Sequence, residues 1–389
     1  TCRVVVERDV SRGRERIKIP LVVDVPTSMI QQNDDYPNRK EREKLLRATA
    51  LQLCNQKVPD FVYVNTNVFS QSMAQLTQSV RVIGGCVGCE GSHCKPAKSP
   101  TVEQLRARQE QWERMVAHQR KKFLSTPPPL ALSSADPPSR HSASSSDSTV
   151  VTSADFPRLT VPMCTWDTYD THGRQTYGSD VNVECNFACL CDVGQCHNRV
   201  VQRGITKPLE VFWTHDAREW GVRCSDDLYP GDFVCEYAGE LVTEIEAESK
   251  AHTDEDLYLL ELPCPNERMT WRIWMPSEEQ YLADKNGSRD SEDGDGPGSN
   301  TDTVIDALKY GNVGRFLNHR CDEGNLTKQL VLVDTLEPRL CRVAFFATDF
   351  IPRMTELTYD YGWSRPQQSG RKHRMHCCCG SANCRGLLL

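Results

Sequence analysis

Short strand-forming runs, clustered cysteines and few helix-forming stretches predict a mainly β chain with short helices, pinned by metal-thiolate clusters. The runs are PLEVFWT, DFVCEYAG, LYLLEL, TWRIWM, QLVLVD and CRVAFFATDF, each dense in β-branched and aromatic residues. The chain has 19 cysteines in 389 residues, and they fall in groups, as metal sites do. Its length and 38% apolar content allow two or three folding units.

From the N-terminus, Val4 and Val6, then Ile17, Ile19, Leu21 and Val23, alternate in a way that predicts short strands. The charged stretch from Arg39 to Leu53 reads as a helix. A second helix is expected from about Thr101, where Thr101 and Glu103 form a start signal, and it ends in the basic residues Arg120 to Lys122. A solvated insertion helix accounts for that charge better than a nuclear-localisation patch. From Ser125 to Pro157 the chain is Ser, Pro and Ala with few large apolar residues; burial there cannot offset ordering entropy, and a disordered linker is expected. Order is expected to resume near Val161, and the Asp-Gly-Ser-rich stretch Lys285 to Asp302 reads as an exposed loop.

Net charge is −7, from 46 basic and 53 acidic residues. That balance argues against gripping a phosphate backbone, so little direct DNA binding is expected. A basic peptide is the better electrostatic match, although an ordinary solvated acidic surface by itself explains the charge better, so charge only supports other observations. No run approaches the ~18 to 20 apolar residues needed to span a bilayer, so no membrane partner is expected. The first thirty residues form no secretory apolar region, and the missing initiator Met points to a piece of a longer protein.

Without a secretory signal, thiolates on zinc are favoured over disulfides. Cys185, Cys189, Cys191 and Cys196 form CxxxCxCxxxxC, too dense for mutual disulfides but suited to wrapping zinc. Adding Cys86, Cys89 and Cys94 makes seven thiolates, the number two tetrahedral zincs need when they share one sulfur. At the C-terminus Cys377, Cys379 and Cys384 supply three ligands of one zinc, and Cys321 is the candidate fourth. Cys224, Cys235, Cys264, Cys341 and Cys378 read as buried small hydrophobes.

Three blocks in order resemble the pre-SET, SET and post-SET modules of histone lysine methyltransferases. They are the thiol cluster ending ECNFACLCDVGQCHNRVVQRG; EWGVRCSDDLYPGDFVCEYAGEL with GNVGRFLNHRC and ELTYDYGW; and CCCGSANCRG. VSRGRERIKIP and WDTYDTHGR look most like the euchromatic type, while the CCCG ending and the VDT near Asp334 look more like the bifurcated-SET type. The resemblance implies a pre-SET region at 1–198 with an insertion at 97–162. It implies a SET domain, a pseudoknotted β-clip, at 199–363 with a loop insertion at 265–303, and a post-SET zinc module at 372–389. It also implies S-adenosylmethionine as methyl donor, one post-SET zinc and two or three pre-SET zincs. The implied partners are chromatin and the histone H3 tail, most of all its lysine 9, in the nucleus and on the chromosome.

By the same resemblance Trp220 and Gly221 match the cofactor-binding turn, and Tyr258, Arg315, Asn318 and His319 match further positions around the cofactor. Tyr361 matches the catalytic tyrosine, with Tyr237 and Tyr359 lining the channel for the target lysine. Glu244, Glu248, Asp256 and Glu261 fall where similar enzymes line the tail groove with carboxylates; read alone they are a solvated face. The aromatic channel suits the chemistry. A lysine amine with an unperturbed pKa of about 10.4 must lose its proton before attacking a sulfonium methyl, and burial beside positive charge promotes that loss.

Four positions depart from the pattern. Gly84 and Pro96 stand where two pre-SET cysteines are expected, which leaves Cys164 or His93 to substitute or the site to hold two zincs. Glu219 replaces the usual Gly before Trp220. Tyr359 stands where similar enzymes usually carry Phe, and its hydroxyl predicts mono- or dimethylation rather than trimethylation. The competing readings are a catalytically silent SET scaffold that binds chromatin, and a methyltransferase of a non-histone protein.

Overall fold

Val4 and Val6 face inward on a strand whose intervening residues face outward, and that alternation starts the first sheet. The computed structural model describes residues 1–30, 39–74, 86–90, 93–96, 168–176, 181–185, 196–250, 258–262, 303–322, 324–333, 338–362 and 376–386. The expected helix from Thr101, the Ser/Pro linker, the Lys285–Asp302 loop and the TWRIWM run lie outside these residues.

In chain order the N-terminal elements are β1 (Cys2–Glu7), β2 (Leu21–Val25), α1 (Arg39–Leu53), β3 (Val62–Tyr63), β4 (Val68–Phe69), β5 (Cys86–Glu90), β6 (His93–Pro96) and β7 (Val181–Val183). They are followed by β8 (Leu209–Trp213), β9 (Trp220–Cys224), β10 (Phe233–Tyr237), β11 (Gly239–Thr243), α2 (Glu244–Lys250), β12 (Leu259–Glu261) and β13 (Thr303–Gly311). The last strands are β14 (Asn318–His319), β15 (Leu326–Leu332), β16 (Arg342–Ala347) and β17 (Glu356–Tyr359). The chain is therefore mainly β with short helices, as expected, and α1 has the bounds expected of it.

Two details differ from the sequence reading. Ile17 and Ile19 lie outside any strand, and β2 buries Leu21, Val22, Val23 and Val25 instead of alternating. Its place explains why. β2 lies between β1 and β8, α1 packs against β1 and β2, and Leu21, Val22 and Val23 on alternate faces are all fully buried, so an unbroken apolar run is favoured. Of LYLLEL only Leu259–Glu261 is strand.

Three sheets carry the core. A six-stranded sheet runs β1-β2-β8-β9-β17-β14; a four-stranded sheet runs β10-β16-β15-β7; a five-stranded sheet runs β12-β13-β11-β4 with β3 added beside β13. β5 and β6 form a separate hairpin whose register sets Cys89 opposite Cys94 and Cys86 opposite Pro96. Among the described residues no helix is long and apolar enough to cross a membrane.

Where the thiol-rich segment enters the second half of the chain, one buried carboxylate organises the turn. Glu184 accepts the backbone N–H groups of Val200 at 2.9 Å, Val201 at 2.7 Å and Gln202 at 3.3 Å, and the Gln202 side-chain amide at 2.9 Å. These donors begin a short 3-10 turn at Val201–Arg203, whose first N–H groups have no partners inside the turn. Charge-assisted bonds to a fully buried carboxylate are the strong kind. Glu184→Ala is expected to strip these donors and lower unfolding free energy by on the order of 3 kcal/mol in urea titrations. A change below about 0.5 kcal/mol would show that water replaces the carboxylate without loss.

Candidate active site

The short strand β14 lies parallel to β17, with Asn318 opposite Thr358 and His319 opposite Tyr359. Two residue pairs alone would be a weak ladder, but the following loop adds to it. Arg320 N–H donates to the Tyr359 carbonyl at 3.0 Å and Asn325 N–H to the Thr358 carbonyl at 3.0 Å. The Asn325 side chain accepts the Thr358 N–H at 2.9 Å and donates to the Glu356 carbonyl at 2.9 Å, imitating one more strand. Gly324, at φ +73°, lets the loop come this close. A Cβ there would sit 2.4 Å from the Thr358 carbonyl oxygen.

On its other edge β17 pairs with β9, which brings Trp220 and Gly221 against Asn318. The Asn318 side-chain amide donates to the Trp220 carbonyl at 3.1 Å and to Glu356 Oε1 at 2.9 Å. Glu356 Oε2 in turn accepts Arg218 at 2.8 Å, and Arg218 also grips Asp216, the larger reason its guanidinium holds its proton more tightly than usual. Gly221 is required by this crowding, since a Cβ would meet Glu356 Oε1 at 2.9 Å, Phe212 at 3.1 Å and Asn318 Nδ2 at 3.2 Å. The Trp220 indole donates to the Lys57 carbonyl at 2.8 Å and meets Trp213 edge-on at 5.1 Å.

Glu219, the residue that departs from glycine, takes φ +60°. A left-handed conformation costs a non-glycine residue roughly 1–2 kcal/mol. Its carboxylate is paired with the Lys57 ammonium.

Arg315 lies with its guanidinium 4.0 Å from the Tyr258 ring centre and 4.4 Å from that of Phe61. Burial holds its pKa below the usual arginine value, and its Nε is buried without a hydrogen-bond partner. An N–H that can only donate, next to aromatic faces, fits a ligand bearing both an acceptor and a flat ring. S-adenosylmethionine has both features, so Arg315, Tyr258, the Trp220–Gly221 turn and Asn318 are residues that could hold it.

Three tyrosines meet nearby. Tyr359 packs 4.7 Å from Tyr361 and 4.5 Å from Phe345, between ring centres. Tyr361 donates its hydroxyl to the Leu317 carbonyl at 2.8 Å, and Tyr237 donates to the Tyr258 carbonyl at 2.9 Å. Tyr359 is buried among these rings. Burial pushes all three phenols above their ordinary pKa, so each stays protonated at neutral pH. Of the four acidic candidates, Glu244 and Glu248 are exposed on α2 one turn apart and Glu261 is exposed on β12; Asp256 lies outside the described residues.

The sulfurs of Cys321, Cys377, Cys379 and Cys384 all lie within 4.8 Å of one another. Cys321 and Cys377 are 3.7 Å apart, close to the ~3.8 Å edge of a tetrahedron with zinc–sulfur bonds of about 2.3 Å. Donor number, type and spacing therefore suit zinc. Burial opposes ionising Cys379, but the N–H groups of Cys321 and Ser381 and the thiols of Cys377 and Cys384 outweigh it and bring its pKa down to about 6. Arg385 and Gly386 N–H groups point at Cys321 and Cys384 sulfurs at 3.3 Å and 3.4 Å.

His319 joins this cluster to the tyrosines. Its Nδ1 accepts the Tyr361 N–H at 3.2 Å, which assigns the ring proton to Nε2, 3.0 Å from the Cys321 sulfur. Burial lowers its pKa and keeps the ring neutral.

In the other thiol group, Cys185 and Cys196 are buried with sulfurs 3.6 Å apart, a separation suited to shared metal rather than to a disulfide. Cys189 and Cys191 lie outside the described residues, as do the side chains of Cys86, Cys89 and Cys94. Cys224, Cys235 and Cys341 are buried as expected, but Cys378 is exposed: between two cluster sulfurs, its own side chain points outward. Sequence reasoning assigned no part to Glu356, Asn325, Phe61 or Lys57. Glu356 stands inside a motif that drew notice, whereas the others reach the site from distant segments with no local signal.

Residues 219–362 match the SET domain family. Over 387 residues the chain is 29% identical to histone-lysine N-methyltransferase SUVR4 of Arabidopsis thaliana, covering 97% of this chain and 64% of that protein. It is 40% identical over 205 residues to the H3 lysine-9 specific histone-lysine N-methyltransferase SUVH6 of the same plant, covering 52% of this chain and 24% of the relative. A crystal structure of Arabidopsis thaliana SUVH6 in complex with SAM superposes with a TM-score of 0.55 at 25% identity, covering 99% of this chain and 56% of that one. The chain thus spans less than two thirds of these relatives.

Replacing Cys321 by Ser removes one of four clustered donors. Elemental analysis of the purified variant is expected to show one zinc fewer per chain than wild type; an unchanged zinc content would exclude Cys321 from the site.

Proposed function

With a SET domain at residues 219–362, we propose that this chain is an S-adenosylmethionine-dependent protein lysine methyltransferase acting on the histone H3 tail, at lysine 9. The observation that carries the reading is the joint between β9, β14 and β17. It sets the Trp220–Gly221 turn and Asn318 beside the strand that leads through Tyr359 to Tyr361. The donor would supply an electrophilic methyl group. Everything else falls to this chain's residues.

Tyr361, held at its hydroxyl by the Leu317 carbonyl and at its backbone by His319, is the positioning group for the incoming amine. All three phenols stay neutral, so none serves as a phenolate base. The lysine must arrive unprotonated, which an aromatic, water-poor channel favours. The Tyr359 hydroxyl, packed against Tyr361, can bond the amine or a water and so limit methylation to one or two groups. The exposed carboxylates of Glu244, Glu248 and Glu261, with Asp256, suit a basic tail laid along a strand edge. The choice of lysine 9 is supported by SUVH6, whose name carries that specificity and which is 40% identical.

In the proposed domain plan a pre-SET region at 1–198 holds two or three zincs and the 372–389 module holds one. A nuclear, chromosomal location follows from a histone substrate.

The test is transfer of labelled methyl groups from S-adenosylmethionine to an H3 tail peptide and to the same peptide with lysine 9 replaced by arginine. Label is expected only on the first, with mono- and dimethyllysine as products. Tyr361→Phe should lower the rate at least about 100-fold, and Tyr359→Phe should move products toward trimethyllysine. Wild-type protein that binds S-adenosylmethionine but labels no peptide would favour a silent scaffold; equal label on both peptides would remove lysine 9.

A further inference from the structure

Lys57 meets the Glu219–Trp220–Gly221 turn twice. Its backbone carbonyl takes the Trp220 indole N–H at 2.8 Å, and its ammonium pairs with the Glu219 carboxylate. The segment that delivers it is specially shaped. Just past the end of α1 come two consecutive left-handed residues, Asn55 at φ +50° and Gln56 at φ +56°. Gln56 N–H returns to the Leu51 carbonyl at 2.8 Å and Lys57 N–H to the Cys54 carbonyl at 2.8 Å. The chain therefore leaves the helix in a tight hook, with Lys57 next after the two left-handed residues.

Glu219 closes the loop from β8 to β9. Its N–H donates to the Asp216 carbonyl at 3.2 Å and its carbonyl accepts the Thr214 N–H at 2.7 Å. Both bonds depend on its left-handed φ of +60°, where glycine would be at ease and glutamate is not. A glutamate there needs an outside reason, and the contact present is the Lys57 ion pair.

We infer that Lys57 is a positioning residue for S-adenosylmethionine binding: its ion pair with Glu219 holds the Glu219–Trp220–Gly221 turn in the binding conformation, replacing the conformational freedom of glycine with a clasp from the N-terminal segment. The inference rests on the reading that this turn holds S-adenosylmethionine. The pair is partly exposed, so its effect is modest and salt-dependent.

The test is titration calorimetry of the full zinc-loaded chain with S-adenosylmethionine, joined to steady-state methyl transfer. Lys57→Ala should weaken binding about two- to five-fold at low salt. The loss should fall on KM for S-adenosylmethionine rather than on kcat, and Lys57→Arg should restore affinity. In a Glu219→Gly background, Lys57→Ala should change nothing, because no carboxylate remains to be held. Equal affinity of Lys57→Ala and wild type at low salt, or the same loss in the Glu219→Gly background, would overturn the inference alone. Wild-type protein that binds no S-adenosylmethionine would overturn the reading beneath it as well.

Discussion

The parallel pairing of Asn318 and His319 with Thr358 and Tyr359 is the contact on which the site depends. It is only two residue pairs long, and each of its four residues, or an immediate neighbour, does something else. Asn318 turns its amide to the Trp220 carbonyl and Glu356. His319 accepts from Tyr361 and faces the Cys321 sulfur. Tyr359 stacks between Phe345 and Tyr361. A ladder this short would slip without lateral support, and the Asn325 side chain and the Gly324 close approach provide it by fixing the register from the far side.

The cysteine cluster extends the same logic to the end of the chain. Cys321 follows His319 by two residues, while Cys377, Cys379 and Cys384 come from a segment beyond the last strand. A metal bound by all four would tie that segment to β14, and the Arg385 pair with Asp360 at 2.5 Å adds a second tie beside Tyr361. Metal loading and the geometry of the tyrosines would then be coupled, since one loop serves both.

Much of this could be read from the residues in order. The β-rich runs became β8, β10, β15 and β16, α1 kept its expected bounds, and the three thiols read from their spacing meet Cys321, the candidate fourth. Ligand sets and strand patterns are local or have a fixed arithmetic, so sequence carries them. What it did not carry is long-range pairing. Glu356 bridging Asn318 and Arg218, Phe61 lying on Arg315 and Lys57 reaching Glu219 join segments far apart, with no periodicity to announce them. Ile17 and Ile19 precede the strand they were expected to join, and β2, whose alternation predicts a half-covered strand, is buried on both faces. Glu219 was legible as a departure from glycine, but its consequence depended on a φ angle and on Lys57.

Charge states close the account of the site. Burial raises the pKa of Tyr237, Tyr359 and Tyr361 and lowers that of His319, so these four rings are driven toward their neutral forms. Arg315 is pushed the same way, yet its aromatic neighbours favour the cation and it has far to fall from the usual arginine value. The result is a site with neutral hydroxyls, a neutral imidazole and one stacked cation. Such a set can orient an amine and disfavour its ammonium form, but it offers no anionic base among the aromatic groups. Under the proposed reaction, the proton is lost before the amine enters, and the rings contribute placement and dryness to the transfer itself.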